Sequence, residues 1–349
     1  MFELCDKLIG LVPYEPGNGD YLVRLDANES FIRPPDSIKQ EITNSVENIA
    51  FNRYPDSAAA QLCAAFADYY GVNMSNVTAG NGSDELLFII ASCFTQAGDT
   101  IVTAAPDFSM YKFYAHLAEC KCIEYQKQDL EIDINELIGT VNRENARLLF
   151  FSNPCNPTGI LLNKAQVKQI INSVNALVVL DEAYMDFSDE TLIDEVCSYD
   201  NVILLRTMSK AVGMAAVRLG FAVANDKITK ALKAAKSPYN INSISNAVGS
   251  VIYKNAEYLR ECKARIIKSR DELYSAVLPI CEKRGWRMKR TDANFLFLII
   301  KDSKKVFEYL KSKGILVRDF GGALRITTGS KDENSTLIKA LEEIEYEKS

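Results

Sequence analysis

Between residues 57 and 225, short apolar runs alternate with helix-patterned stretches, and this alternation restricts the fold more than any other feature of the chain. The runs are NVTAG (76–80), TIVTAAP (100–106), CKCIEY (120–125), RLLFFSNP (147–154), ALVVLDEAY (176–184), NVILLRT (201–207) and RLGFAVA (218–224). Most are apolar on successive residues, the signature of strands covered on both faces. Between them, AAAQLCAAFADYYG (58–71) has helical spacing and a glycine stop, and SDELLFIIASCFTQAG (83–98) opens with Ser/Asp cap chemistry and ends at glycine. The pattern predicts a largely parallel sheet with helices on both sides. In such sheets a ligand site gathers at the carboxyl ends of the strands.

Beyond residue 240 the character changes. A long helical pattern spans 243–280, followed by strand-like NFLFLII (294–300), ILVRD (315–319) and ALRITTG (323–329), with helices near 304–313 and after 330. The division expected is an N-terminal arm over 1–35 that joins the small domain, a large domain over 36–245 and a small α+β domain over 246–349.

With 349 residues, 48% of them hydrophobic, the chain has material for a large core, and a net charge of −6 leaves no excess of cations for a nucleic-acid face. Nine scattered cysteines with one close pair, Cys120 and Cys122, and a single histidine, His116, argue against a zinc site or a histidine-centred triad. Reduced thiols in the cytoplasm are expected. The opening MFELCDKLIG holds acidic residues and no long apolar stretch, and no run approaches membrane-spanning length.

The residues at the strand ends carry the chemistry. GNGSDE (80–85) places Ser83 and Asp84 at a helix start, where backbone N–H groups bind phosphate as readily as they accept a plain cap. PDFSMY (106–111) places Phe108 and Tyr111 after a strand, and SNPCNPTG (152–159) is a rigid turn. VVLDEAY (178–184) sets two acids after a buried strand, where an unpaired carboxylate costs several kcal/mol; Asp181 is therefore expected to have a cationic partner. RTMSKAVGMAAVRLG (206–220) supplies Thr207, Ser209, Lys210 and Arg218. A helix start, hydroxyls and an arginine suit a phosphate; an acid suits a ring N–H⁺, an aromatic residue a planar ring, and a lysine an imine. Together they describe pyridoxal phosphate (PLP).

NPTG (156–159), DEAY (181–184) and S-K-x(7)-R-x-G (209–220), in that order, resemble the fold-type-I PLP-dependent aminotransferases. LDANE (25–29), NRYPD (52–56), GNGSDE, PDFSMY, TMSKAVGMAAVRLGF (207–221), ANF (293–295), VRD (317–319) and LRITTG (324–329) resemble, within them, the histidinol-phosphate aminotransferase family over about residues 13–345. The resemblance implies an α/β fold with a mostly parallel mixed sheet in a large domain flanked by helices, and a smaller α+β domain. It implies transfer of an amino group from L-histidinol phosphate to 2-oxoglutarate in histidine biosynthesis, by ping-pong turnover.

Carried onto this chain, the resemblance makes Lys210 the Schiff-base lysine and proton shuttle and Asp181 the partner of the pyridine nitrogen. Asn156 and Tyr184 address the ring hydroxyl and Phe108 stacks on the ring. Ser83, Asp84, Thr207, Ser209 and Arg218 hold the phosphate. Tyr54 is expected to reach the cofactor of the other subunit in a homodimer. Arg325 would bind the substrate α-carboxylate, and Tyr14, Asn28 and Arg318 would form the substrate pocket, Arg318 taking a substrate phosphate.

This chain departs from the family in the SFIRPP that follows Asn28-Glu29 and in the short span from Arg318 to Arg325. The second departure bears on the substrate. An aminotransferase for aromatic amino acids or a decarboxylase of O-phosphothreonine would use the same core. A non-catalytic binding protein would not need Asn156, Asp181, Tyr184, Lys210 and Arg218 in this order.

Overall fold

A computed structural model describes residues 2–13, 17 and 19–344. Its strands run β1 (Val23–Arg24), β2 (Val77–Gly80), β3 (Thr100–Ala105), β4 (Lys121–Gln126), β5 (Leu148–Ser152), β6 (Leu177–Asp181), β7 (Val202–Thr207) and β8 (Gly220–Val223). They continue with β9 (Arg287–Met288), β10 (Phe295–Ile299), β11 (Ile315–Leu316), β12 (Arg318–Asp319) and β13 (Ala323–Thr327).

Seven strands form one sheet in the order β2-β8-β7-β6-β5-β3-β4. The pairs from β7 through β4 are parallel, whereas β8 runs antiparallel to both β7 and β2. Alternate residues of each central strand enter opposite cores. Leu149, Phe151, Val178, Leu180, Val202 and Leu204 pack with helices Ala60–Tyr70, Ile134–Arg143, Lys164–Ser173 and Ser243–Lys254. Leu148, Phe150, Val179, Ile203 and Leu205 pack with helices Ser83–Cys93, Met110–Leu117 and Asp226–Ala235. Successive strand side chains point to opposite faces, so covering both faces requires the unbroken apolar runs seen in the sequence.

A second sheet, in the order β12-β13-β10-β9, is antiparallel. Leu296, Leu298, Leu324 and Ile326 pack inward against residues of helices Ala256–Arg284 and Lys331–Glu343. Phe295, Phe297, Arg325 and Thr327 lie on the opposite face.

Two elements differ from the sequence expectation. The helical pattern over 243–280 is two helices that meet at Asn255, whose backbone leaves the helical region (φ −95°, ψ 59°). The strand expected over 315–319 divides at Val317. β11 pairs in parallel with β1, while β12 pairs with β13, so one short segment ties the N-terminal arm to the second sheet. Among the described residues no helix is long and apolar enough to cross a membrane.

Candidate active site

The carboxyl ends of β5, β6 and β7 carry Asn156, Asp181 with Tyr184, and Thr207 with Ser209 and Lys210. Asp181 closes β6 and is buried; its Oδ2 accepts from the Tyr111 hydroxyl at 2.8 Å and its Oδ1 from the Ala183 N–H at 3.0 Å. Burial pushes its carboxyl up from the usual 3.8 to about 6, against the lowering effect of those two bonds. Tyr111 is a site residue whose role the sequence reading missed: burial holds its hydroxyl well above the ordinary phenol range, so it donates to the carboxylate. The only signal was its place in PDFSMY.

The cation expected beside Asp181 is found one residue further on. Among the described residues no ion pair reaches Asp181, whereas Glu182 Oε2 meets Arg206 Nη2 at 2.8 Å and Arg206 Nη1 meets Asp186 Oδ1 at 2.6 Å. Glu182 also accepts from the Thr191 hydroxyl at 2.6 Å and the Leu192 N–H at 3.1 Å. This buried cluster joins the segment carrying Asp181 and Tyr184 to the one leading into Lys210. Replacing Arg206 by methionine would leave two carboxylates without their cation. The expected result is a loss of about 3–5 kcal/mol in unfolding free energy, read as a lower urea midpoint.

Lys210 follows β7, half-buried, and donates from Nζ to the Ala27 carbonyl at 3.0 Å; Nζ stands 5.7 Å from the centroid of the Tyr184 ring. Tyr184 is buried, lies edge-on to Phe295, and its hydroxyl accepts from Asn28 Nδ2 at 2.9 Å. Asn28 Oδ1 accepts from the Thr327 hydroxyl at 3.1 Å. Asn28 is thus buried with both ends of its amide engaged, and it orients Tyr184.

The turn after β5 is fixed through Asp107. Its Oδ1 accepts a short hydrogen bond from the Ser152 hydroxyl, and Ser152 Oγ in turn accepts from the Asn156 N–H at 2.9 Å. Asn156 Oδ1 accepts from Arg325 Nη1 at 2.5 Å, and Arg325 Nη2 donates to the Asp26 carbonyl at 2.7 Å. Arg325 therefore links the face of the second sheet to the first sheet's site. Its guanidinium lies 5.5 Å from the Phe295 ring centroid and 5.6 Å from that of Phe320. Gly159 is required in this turn: its φ is +74°, and a Cβ there would lie 2.1 Å from Thr291 Oγ1.

At the start of helix Ser83–Cys93, Gly82 is the cap and contributes no side chain, so no side chain caps the N–H groups of the first turn. A Cβ on Gly220 would lie 2.2 Å from Ser83 N, so only glycine lets β8 pass this close. Thr207 and Ser209 are buried with their hydroxyl oxygens 3.1 Å apart. Arg218 lies 3.3 Å from Asp84 Oδ2, and both are exposed. Phe108 is half-buried and edge-on to Tyr111. Arg318 pairs with Arg325 in register across β12 and β13, which puts both side chains on one face with Cβ atoms about 5 Å apart. Tyr54 is 82% exposed and stacks on Tyr239 at 4.7 Å. Tyr14 lies outside the described residues.

A cluster of N–H groups, hydroxyls and an arginine at one end, with a buried carboxylate lacking a cation at the other, fits a phosphorylated base that carries a ring N–H⁺. Residues 20–341 match the class I and II aminotransferases, and the chain belongs to that family. It has the fold-type-I architecture, and it is an enzyme, a transaminase that uses PLP.

The chain is 38% identical over 339 residues to the histidinol-phosphate aminotransferase of Clostridium kluyveri, covering 95% of this chain and 96% of that one. It is 37% identical over 341 residues to that of Clostridium novyi, covering 96% and 95%. Among solved structures, the histidinol-phosphate aminotransferase from Sinorhizobium meliloti in complex with pyridoxal-5'-phosphate matches with a TM-score of 0.87 at 25% identity, covering 98% and 97%.

Proposed function

We propose that the protein moves the amino group of L-histidinol phosphate to 2-oxoglutarate, giving imidazole acetol phosphate and L-glutamate, in histidine biosynthesis. The observation that carries the substrate is the register of Arg318 against Arg325. The short span between them is a hairpin that keeps both cations on one face. Two adjacent arginines suit a reaction in which one pocket takes a phosphate in one half and two carboxylates in the other.

When bound, PLP supplies an electron-withdrawing ring that makes the substrate Cα–H acidic. Lys210 would take that proton at Nζ and return it. Asp181 would hold a proton on the ring nitrogen. Asn156 and Tyr184 would bind the ring hydroxyl, and Phe108 would stack on the ring. The amides of Ser83 and Asp84, with Thr207, Ser209 and Arg218, would hold the phosphate. Arg325 binds the α-carboxylate of glutamate, with the Phe295 and Phe320 rings 5.5 and 5.6 Å from its guanidinium. Asn28 acts through Tyr184. Large and small domains over 36–245 and 246–349, with the arm over 1–35 on the small one, give the two sides of the site. Nine cysteines, all unpaired, suit a cytoplasmic enzyme.

The test is a single-turnover titration of the PLP-loaded protein. L-histidinol phosphate added without acceptor is expected to bleach the cofactor's visible band, and 2-oxoglutarate to restore it. A band that ignores histidinol phosphate but responds to tyrosine, phenylalanine or O-phosphothreonine would overturn the substrate.

The active unit in this reading is a homodimer in which Tyr54, exposed on its own subunit, completes the site of the other. Mixing inactive Tyr54→Ala and Lys210→Ala proteins is expected to restore up to about a quarter of parental activity, since one site in each mixed dimer keeps both residues. No recovery after verified subunit exchange would remove Tyr54 from the neighbouring site.

A further inference from the structure

One pair of reactive side chains that the transamination chemistry does not use is in direct contact inside the protein. Lys127 follows β4, and Cys155 sits in the turn after β5, beside Asn156. Lys127 Nζ lies 3.0 Å from Cys155 Sγ and donates to the Pro106 carbonyl at 2.8 Å. Cys155 Sγ is 3.4 Å from the same carbonyl, and Asp107 Oδ2 stands 3.9 Å from the ammonium. The Lys127 side chain is 2% exposed and Cys155 is 4% exposed. Among the described residues, no other cysteine sulfur accepts from a lysine ammonium.

Lysine is rarely buried to this depth, and these partners hold its amine against one sulfur. Burial works to lower the Lys127 pKa, but Cys155 and Asp107 beside it outweigh that and the net shift is upward. Burial raises the Asp107 carboxyl, which fits it to receive a proton from the ammonium.

We propose that Lys127 and Cys155 are an oxidation-dependent cross-linking site, joined by a covalent S–O–N bridge between Sγ and Nζ with dioxygen as the oxidant. The S–H bond and two N–H bonds break, and the S–O and O–N bonds form. One oxygen atom of dioxygen enters the bridge and the other leaves as water. Sulfur and nitrogen each give up two electrons, and dioxygen takes all four. The thiol proton and one amine proton go into the water. The third proton of the ammonium passes to Asp107, and one hydrogen stays on nitrogen.

Two features select this product over the usual oxidation ladder of cysteine. The enclosed sulfur has no room for glutathione, and a nitrogen already in contact captures the oxidised sulfur before further oxygen is added. The bridge would tie the segment after β4 to the turn that carries Asn156, one wall of the active site.

The test is peptide mapping of the unsubstituted, PLP-loaded, full-length protein, kept either aerated or anaerobic, then denatured and alkylated without reductant. The aerated sample is expected to contain a peptide pair joining Lys127 to Cys155, with the summed mass plus one oxygen and less two hydrogens. That species is expected to be absent from the anaerobic sample, to disappear with dithiothreitol, and to be absent from the Cys155→Ser and Lys127→Arg proteins. Full alkylation of Cys155 after aeration would overturn the proposal. So would sulfinic or sulfonic acid at Cys155 without the link to Lys127, or a disulfide from Cys155 to another cysteine. The decisive measurement is made on the parent chain and does not depend on either variant folding.

Discussion

Substituting alanine for Lys210 is expected to lower turnover by at least about 10⁴-fold while the fold survives. The structure separates these two effects. Lys210 is half-buried, and its ammonium makes one hydrogen bond to a carbonyl, Ala27 O. Removing that bond costs about 1 kcal/mol, a small part of the stability of a chain this size. In the proposed reaction, by contrast, no other amine takes the substrate proton. Turnover with L-histidinol phosphate and the thermal midpoint, measured on one preparation, distinguish the outcomes. A variant within about tenfold of the parent, with its midpoint unchanged, would assign the proton transfer elsewhere.

The Asp181→Asn variant is expected to trade activity for stability. The Asp181 carboxyl is raised from 3.8 to about 6 by burial. The folded chain therefore binds this proton more tightly than the unfolded chain does. Stability contributed at low pH is lost as pH rises from about 4 through about 6, and the loss reaches about 3 kcal/mol. Asparagine carries no charge to desolvate, and the Tyr111 hydroxyl can turn to accept from its amide. The cofactor-free variant should match the parent near pH 4 and melt higher than it above pH 6. Its turnover should fall by about 10²–10³-fold, because the group that holds the ring proton is gone. Equal pH–stability curves for variant and parent would show that Asp181 is not the group strained by burial.

The strand ends were legible in the sequence because a strand buried on both faces leaves no ambiguity about period, and polar residues that interrupt such runs stand out. Asp181, Lys210 and Asn156 stand out in this way as candidates. Strand direction was not legible: RLGFAVA reads like its parallel neighbours, yet β8 runs antiparallel, since an apolar run carries no sign of its sense. The break at Val317 was hidden for a similar reason, because its two halves serve different sheets. The partners of buried charges were the least legible. DEAY gives no hint that Arg206 belongs to Glu182 rather than Asp181, a choice set by which side chain points toward which helix layer. Asn28 read as a pocket residue but spends its amide on Tyr184 and Thr327.

The tie between the two ends of the chain has a consequence for how the enzyme is made. The backbone N–H of Asn28 donates to the Thr327 hydroxyl across 299 residues of sequence, and β1 waits for β11. During synthesis the seven-stranded sheet has all its strands once residue 223 has emerged, long before Asn28 can find its partner. Contacts of such high order are the slow ones. The nascent chain thus passes through a stage with a formed sheet and an unassembled site, in which Asn28 has no Thr327 and Asn156 no Arg325. A chain ending before residue 315 would stay at that stage, which couples catalytic competence to completion of the polypeptide.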